Sequence, residues 1–540
     1  MNRIQLSDLT LDQKIGQLFI GGFHDIVPDE QVTILIEQYA MGGVIYFRRN
    51  IGTPQQIQEL SASLQQIAIR QGLPPLLISI DQEGGMVSRI DREELSLIPG
   101  NMSLGAADDP KLTGQVAAIS ARELRTLGIN LNLAPCIDVN NNPRNPVIGV
   151  RSYSEKPGKV AEHGAAAIMA MQAEQVAATA KHFPGHGDTD VDSHYGLASV
   201  PHGRNRLENV ELLPFQRAID VGVDLIMSAH VIFPAFETEQ IPATLSAAVL
   251  TGLLREKMGF QGLIITDCLE MHAIAKHFPI PEAAVRSLQA GADLLLVSHT
   301  MSDQVAAIQA VRTAVDEGRL TEARIDESVQ RILSLKARRE MNRLISEQDD
   351  HTFRLHTTES ENVLREAALR SITVVKDNGQ LPLPTEQQGL VIWPQVTRET
   401  EVDEPAGHYA SLSEALRSYH VMTDEMIIDA EVEDSQIAQV MQRAQTADFI
   451  LMATYTSAGE LPAGQARLTA ALAALPDTPL IVISVRNPYD INHLPEVDTY
   501  ICCYENRKYA IEALAAVLTG NQTPTGKLPV SLNPYYLAEI

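Results

Sequence analysis

The sequence predicts an α/β protein: a (β/α)8 barrel of the TIM type, followed by a smaller three-layer α/β sandwich domain. Three observations carry this reading. Short β-type apolar runs alternate with helical-period segments through the first two-thirds of the 540 residues. Polar residues recur at the C-terminal ends of those runs, and a second, shorter α/β series begins after a polar stretch near residue 350.

The runs cover residues 17–23, 43–47, 76–81, 130–134, 178–182, 225–230, 263–267 and 292–298, eight in all. Eight strands with helices between them favour a closed barrel over an open sheet. Helical periodicity covers 29–39, 54–70, 114–127, 159–173, 210–221 and 247–257, with stops at Gly72, Gly128 and Gly259. Helical segments 302–317 and 325–344 complete the first domain, placed at 1–345. A charged stretch without apolar periodicity follows and is read as a linker, 346–359. The second domain, 360–540, has strands expected at 372–375, 389–393, 449–453, 480–485 and 499–503, and helices near 412–418, 436–445, 463–474 and 510–519.

Composition narrows the function. There are 68 Asp and Glu against 42 Lys and Arg, a net charge of −26. Such a chain repels phosphate backbones and anionic headgroups, so nucleic acid and membrane surfaces are excluded as expected partners. Cys136, Cys268, Cys502 and Cys503 are too few and too unevenly spaced for a disulfide scaffold or a CxxC metal site, and are read as reduced core residues. Asp8 and Asp12 interrupt the apolar run that an export signal would need, and no stretch approaches the ~18 apolar residues of a membrane span. A cytoplasmic protein is expected.

Asp81, His182, His230, Asp267 and His299 end or directly follow apolar runs. In a (β/α)8 barrel that rim carries the active site. The densest polar cluster, Lys-His-Phe-Pro-Gly-His-Gly-Asp-Thr-Asp-Val-Asp-Ser-His, runs from Lys181 to His194. Gly185 and Gly187 permit positive φ, so a mobile loop is expected to carry Asp188, Asp190, Asp192 and His194 over the barrel mouth. Asp267 ends the run Leu-Ile-Ile-Thr-Asp, Asp81 ends Ile-Ser-Ile-Asp, and Arg151 follows the fourth run.

Two chemistries could use such a rim. Either His182, His186, His194 and nearby aspartates hold a divalent metal that activates water, or Asp267 attacks a substrate carbon while a loop residue protonates the leaving group. The histidine spacing fits neither HExxH nor another recognisable ligand set, so neither a metal nor an organic cofactor is expected.

The motifs Asp-Gln-Glu-Gly-Gly at 81–85, Asn-Pro-Val-Ile-Gly-Val-Arg-Ser-Tyr at 145–153, the 181–194 cluster and Ile-Thr-Asp-Cys-Leu-Glu-Met at 265–271, in this order and spacing, resemble glycoside hydrolase family 3, specifically its β-N-acetylhexosaminidase branch. Residues 520–531, Gly-Asn-Gln-Thr-Pro-Thr-Gly-Lys-Leu-Pro-Val-Ser, are similar to the segment that closes the family's sandwich domain. The resemblance implies that Asp267 is a nucleophile forming a covalent glycosyl ester, with His194 as general acid/base and Asp192 as its partner. It also implies that Asp81, Arg89, Arg151, Lys181 and His182 surround the terminal sugar. Imidazole suits the acid/base role, because it titrates near pH 6.5 and a neighbouring carboxylate keeps it protonated near neutrality. The expected activity is exo-acting, retaining release of β-linked N-acetylglucosamine from small carbohydrates such as cell-wall fragments, as in peptidoglycan recycling.

Phosphorolysis at the same site and a catalytically silent amino-sugar-binding protein are the alternatives. The family pattern has arginine where Met86 stands here, which leaves the outer pocket open. Glu270 and Met271 are expected at the pocket wall, with the methionine in the core. Glu505 and Arg486 sit near strand ends, where they either line an interdomain cleft or are surface polar residues on loops.

Overall fold

The computed structural model describes residues 4–92, 94–193, 195–341, 355–395, 410–456 and 460–539. Eight parallel strands close a barrel: β1 (Phe19–Gly21), β2 (Gly43–Tyr46), β3 (Leu77–Ile80), β4 (Leu131–Asn132), β5 (Ala177–Phe183), β6 (Leu225–Ser228), β7 (Leu263–Cys268) and β8 (Leu294–Val297). Each pairs with its neighbours in sequence, and β8 returns to β1. Every predicted run overlaps one of these strands.

The shortest strand is the fourth, where two residues of the predicted 130–134 are regular strand. Side chains complete the ladder there. Asn130 accepts from the Ile78 amide at 2.9 Å and donates to the Leu76 carbonyl at 2.9 Å, while Asn132 does the same with the Gln82 amide and carbonyl at 3.0 and 2.9 Å. Backbone groups left without partners inside a barrel would each cost about 1–3 kcal/mol, so these amides replace missing main-chain bonds.

The helices follow local chemistry. Thr53 caps Pro54–Arg70 by accepting from the Gln56 amide, proline occupies the first turn, and Gly72 ends the segment at φ 66°. The predicted helix 210–221 is instead Leu212–Asp220, preceded by a separate Arg204–Asn209. Pro214 tolerates only the first turn of a helix, which explains the break. The segment expected at 247–257 is a wide helix, Ala248–Lys257, in which Met258 donates to the Leu253 carbonyl five residues back.

At the N-terminal end of the barrel two buried aspartates precede strands. Asp224 meets Arg339 at 2.6 Å and Arg338 at 2.8 Å. Asp293 meets Arg331 at 2.9 Å, accepts from Ser328 at 2.6 Å and from the Ile264 amide at 3.0 Å, and also pairs with Arg255.

The second domain is a six-stranded sheet in the order β9 (Thr373–Asp377), β14 (Thr499–Cys502), β13 (Leu480–Ser484), β12 (Phe449–Thr454), β10 (Gln388–Pro394), β11 (Met422–Ile428). Only β9 runs antiparallel to its neighbour. The edge strand β11 is not among the sequence expectations, because Met-Thr-Asp-Glu-Met-Ile-Ile has no clean apolar run and is largely solvated. Helix Thr358–Ser371, capped by Thr357, also escapes the sequence reading and begins inside the expected linker, whose residues 346–354 lie outside the described residues.

The two domains meet through specific bonds. Ser154 Oγ donates to the Pro529 carbonyl at 2.7 Å, and Ser531 donates its amide and hydroxyl to Glu155 at 2.7 and 2.6 Å. The Gly100 amide donates to Glu505 at 3.1 Å. Glu505 and Arg486 are therefore not surface residues: both are buried, and burial pushes the Glu505 carboxyl above its ordinary range. Cys136, Cys502 and Cys503 are buried free thiols, whereas Cys268 lies at a cavity wall and departs from the core assignment. Among the described residues, no helix is long and apolar enough to cross a membrane.

Candidate active site

A cavity of about 550 Å³ opens at the C-terminal ends of the barrel strands. Asp81, Arg89, Arg151, Lys181, His182 and Asp267 all line it. Strands β3 and β7 are four places apart in a ring of eight, so Asp81 and Asp267 enter from opposite walls.

On the first wall, charges interlock. Lys181, at the end of β5, lies 2.7 Å from both Asp81 Oδ1 and Glu83 Oε1. Arg151 forks onto Glu83 at 3.0 and 2.8 Å, and Arg89 stands 3.7 Å from Asp81 Oδ2. Burial alone would raise the Glu83 carboxyl, but Arg151 and Lys181 hold it far below the usual carboxylate range. Burial would likewise lower Lys181, and Asp81 and Glu83 reverse that, so its amine is held above the ordinary value. Opposite charges thus stay ionised in a partly dry pocket, with donors and acceptors preset for a ligand rich in hydroxyls.

His182 gives Nδ1 to Asp138 Oδ2 at 2.7 Å, and Asp138 also accepts the amides of His182 at 3.1 Å and His186 at 2.7 Å. Burial opposes ionisation of Asp138, yet the two histidines hold its carboxyl down to about 2. With Nδ1 committed to the carboxylate, Nε2 is left 3.4 Å from Arg151 Nη2 and faces the cavity.

On the second wall, Asp267 Oδ1 accepts from the Cys268 amide at 2.7 Å. His230 Nε2 donates to the Cys268 carbonyl at 2.9 Å; it braces this strand end from behind and does not line the cavity. Glu270 accepts from the amides of His299 and Thr300 at 2.7 and 2.9 Å, joining the loops after β7 and β8. At the rim, Phe47 packs 5.0 Å from His299 and under the Arg49 guanidinium at 4.5 Å. Both Glu270 and Met271 line the cavity.

Asp192 and Ser193 are buried in the loop after β5, and Ser193 lines the cavity. His194, the expected acid/base, lies outside the described residues. Gly185 takes φ 129°, as expected of a glycine turn, but Gly187 does not adopt positive φ. It is required for another reason: a Cβ there would sit 1.8 Å from the Val139 carbonyl oxygen.

Two sets of potential metal ligands occur among the described residues, and neither is the His182, His186 and His194 set weighed from the sequence. In Cys136, Asp138 and His182, burial drives the thiol pKa well up and Asp138 is already committed to His182. In Asp188, His202 and Glu211, the Arg206 guanidinium occupies the cation position at 3.2 and 3.4 Å from the two carboxylates. These donor sets fit a resident metal poorly.

Glu83 and Asp138 are missing from the sequence-derived site. Glu83 stands in the quoted 81–85 motif, two positions past Asp81, and Asp138 lies four positions beyond the fourth run. Those placements are the available signal.

Residues 10–335 match the model of the glycosyl hydrolase family 3 N-terminal domain, and residues 372–536 match that of its C-terminal domain. The solved structure of a glycoside hydrolase family 3 β-N-acetylglucosaminidase from Paenibacillus sp. str. FPU-7 is 46% identical, covers 97% of this chain and 99% of that one, and superposes with a TM-score of 0.92. Beta-hexosaminidase A of Pseudoalteromonas piscicida is 37% identical over 374 residues, 65% of this chain and 62% of that protein, so the match spans less than two-thirds of that relative. The β-N-acetylglucosaminidase/β-glucosidase of Cellulomonas fimi is 28% identical across 98% of this chain and 95% of its own length. With both domains matched in order over most of its residues, the chain belongs to glycosyl hydrolase family 3.

Proposed function

We propose that the protein is an exo-acting, retaining β-N-acetylglucosaminidase. The observation that carries the reading is the pairing of opposite walls: an ionised cluster of Asp81, Glu83, Lys181 and Arg151 to grip a terminal sugar, and Asp267 facing the same cavity from β7. The near-full-length likeness to a β-N-acetylglucosaminidase supports the choice of sugar.

In this reading Asp81 and Lys181 hold ring hydroxyls, Arg151, Arg89 and His182 close around the ring, and the Asp267 carboxylate attacks the anomeric carbon as the aglycone oxygen takes a proton from His194. A glycosyl ester on Asp267 results. Neutral His194 then removes a proton from water, which attacks the same carbon, breaks the ester and restores both residues. Asp192 stabilises the imidazolium before the first step and after the second. Residues 1–345 do the chemistry and 360–540 support the barrel. A cytoplasmic setting, with cell-wall fragments as substrate, completes the proposal, and the free thiols support it.

The deciding experiment treats the enzyme with a slow fluorinated mechanism-based amino sugar and identifies the labelled peptide, while NMR follows the first-formed anomer of a 4-nitrophenyl β-N-acetylglucosaminide. A label on Asp267 and a β-configured product are expected. An α-configured product, or a label elsewhere, would overturn the mechanism. Release of the 1-phosphate in phosphate buffer would move the assignment to a phosphorylase.

A further inference from the structure

The loop after β5 is the element on which the proposed proton transfer depends, and one side chain in it has been given no task. His186 is 3% exposed, and both ring nitrogens are engaged within the loop itself. Nδ1 lies 2.9 Å from Thr189 Oγ1 and Nε2 lies 2.9 Å from Ser193 Oγ.

The direction of every proton in this chain can be deduced. The Thr189 hydroxyl donates to the His186 carbonyl at 3.1 Å, because a carbonyl can only accept. Its oxygen therefore accepts from the ring, which places the proton on Nδ1 and leaves Nε2 to accept from the Ser193 hydroxyl. Burial, with smaller contributions from the neighbouring charges, lowers the His186 pKa to about 4, so the ring is neutral under ordinary conditions. A neutral imidazole with both nitrogens spent presents only carbon to the cavity it borders.

The ends of the brace are themselves fixed. The His186 amide is bound to Asp138 at 2.7 Å. The Asn145 side-chain amide reaches the carbonyls of His186 and Gly187 at 2.8 and 3.0 Å, and Thr189 Oγ1 at 3.2 Å, while its own oxygen accepts from Val147 and Ile148. At the far end, the Ser193 carbonyl accepts from the Ala273 amide at 3.3 Å, which ties the loop to the segment following Asp267.

We infer that His186 is a positioning residue for the proton-transfer step: its ring spans the chord of the loop from Thr189 to Ser193 and fixes Ser193, the residue that stands between Asp192 and His194 in the sequence. This rests on the reading of His194 as acid/base.

The test compares kcat/KM on two aryl β-N-acetylglucosaminides, one with a good leaving group (2,4-dinitrophenol) and one with a poor one (4-methoxyphenol), in full-length enzyme. His194→Ala is the reference, expected to lose about 100-fold or more on the poor substrate and little on the good one. Ser193→Ala and His186→Asn should reproduce that selectivity, losing roughly 10-fold to 100-fold on the poor substrate and under about 3-fold on the good one. Neither should add to His194→Ala in the double variants. Ser193→Ala removes one hydroxyl and keeps the experiment decisive where His186→Asn folds poorly. Equal losses on both substrates for Ser193→Ala, alongside a selective His194→Ala, would overturn the brace alone. Equal losses for His194→Ala itself would overturn the acid/base reading and the brace with it.

Discussion

Both ends of the barrel bury carboxylates beside strand termini, yet they put them to opposite uses. At the N-terminal end Asp224 and Asp293 are enclosed by arginines and face no open space among the described pockets. At the C-terminal end Asp81, Glu83 and Asp267 border a cavity of about 550 Å³. The difference teaches that a buried ionised group becomes chemically available only where its charge is balanced from one side and space is kept on the other. At the lower end, balance from every side yields a joint that holds helices to strands.

Substitution at each end should separate these uses. Asp267→Ala is expected to lower kcat/KM by at least about 10⁴-fold, about 5.5 kcal/mol of transition-state stabilisation, with an unchanged urea midpoint. A midpoint that fell in parallel would erase the distinction between the two ends. Asp293→Asn should do the reverse: about 3–5 kcal/mol of folding stability lost, because half-buried Arg255 keeps its charge without its fully buried partner, while the folded fraction turns over normally.

Asp138 combines the two behaviours. Its carboxyl pKa is lowered from 3.8 to about 2, so the stability it contributes is complete above pH 4 and disappears as the pH falls through 2. Asp138→Asn should therefore cost about 2 kcal/mol at pH 7, with the gap to the parent protein narrowing between pH 4 and pH 2. Urea titrations at several pH values read this directly, and a gap independent of pH would remove the electrostatic explanation. The smallest effect should come from Arg89→Lys, which keeps the charge but loses the planar contact toward Asp81 and Phe47. KM should rise about fivefold, about 1 kcal/mol, with kcat held.

The barrel was legible because each strand carries its own apolar run and several of the helices between them carry their own caps. Asp81, Lys181, His182 and Asp267 were legible because each is a polar residue ending such a run. Glu83 and Asp138 were harder, since what marks them is a partner elsewhere in the chain: Lys181 lies 98 positions from one and His182 lies 44 from the other. The edge strand β11 is largely solvated and pairs with a single neighbour, so its sequence never needed to look apolar. Gly187 was assigned a flexible turn when its task is close approach to Val139, a contact no local pattern encodes.

The clasp between Ser154, Glu155 and residues 529–531 gives the second domain leverage over the pocket, although among the described residues none of its own lines the cavity. Arg151 stands three positions upstream of that clasp and forks onto Glu83. A barrel severed from its companion would hold that stretch of chain through its own Asn101, Asp138 and Glu83, with one anchor fewer, and the first symptom would be a looser hold on the ligand rather than a slower bond cleavage.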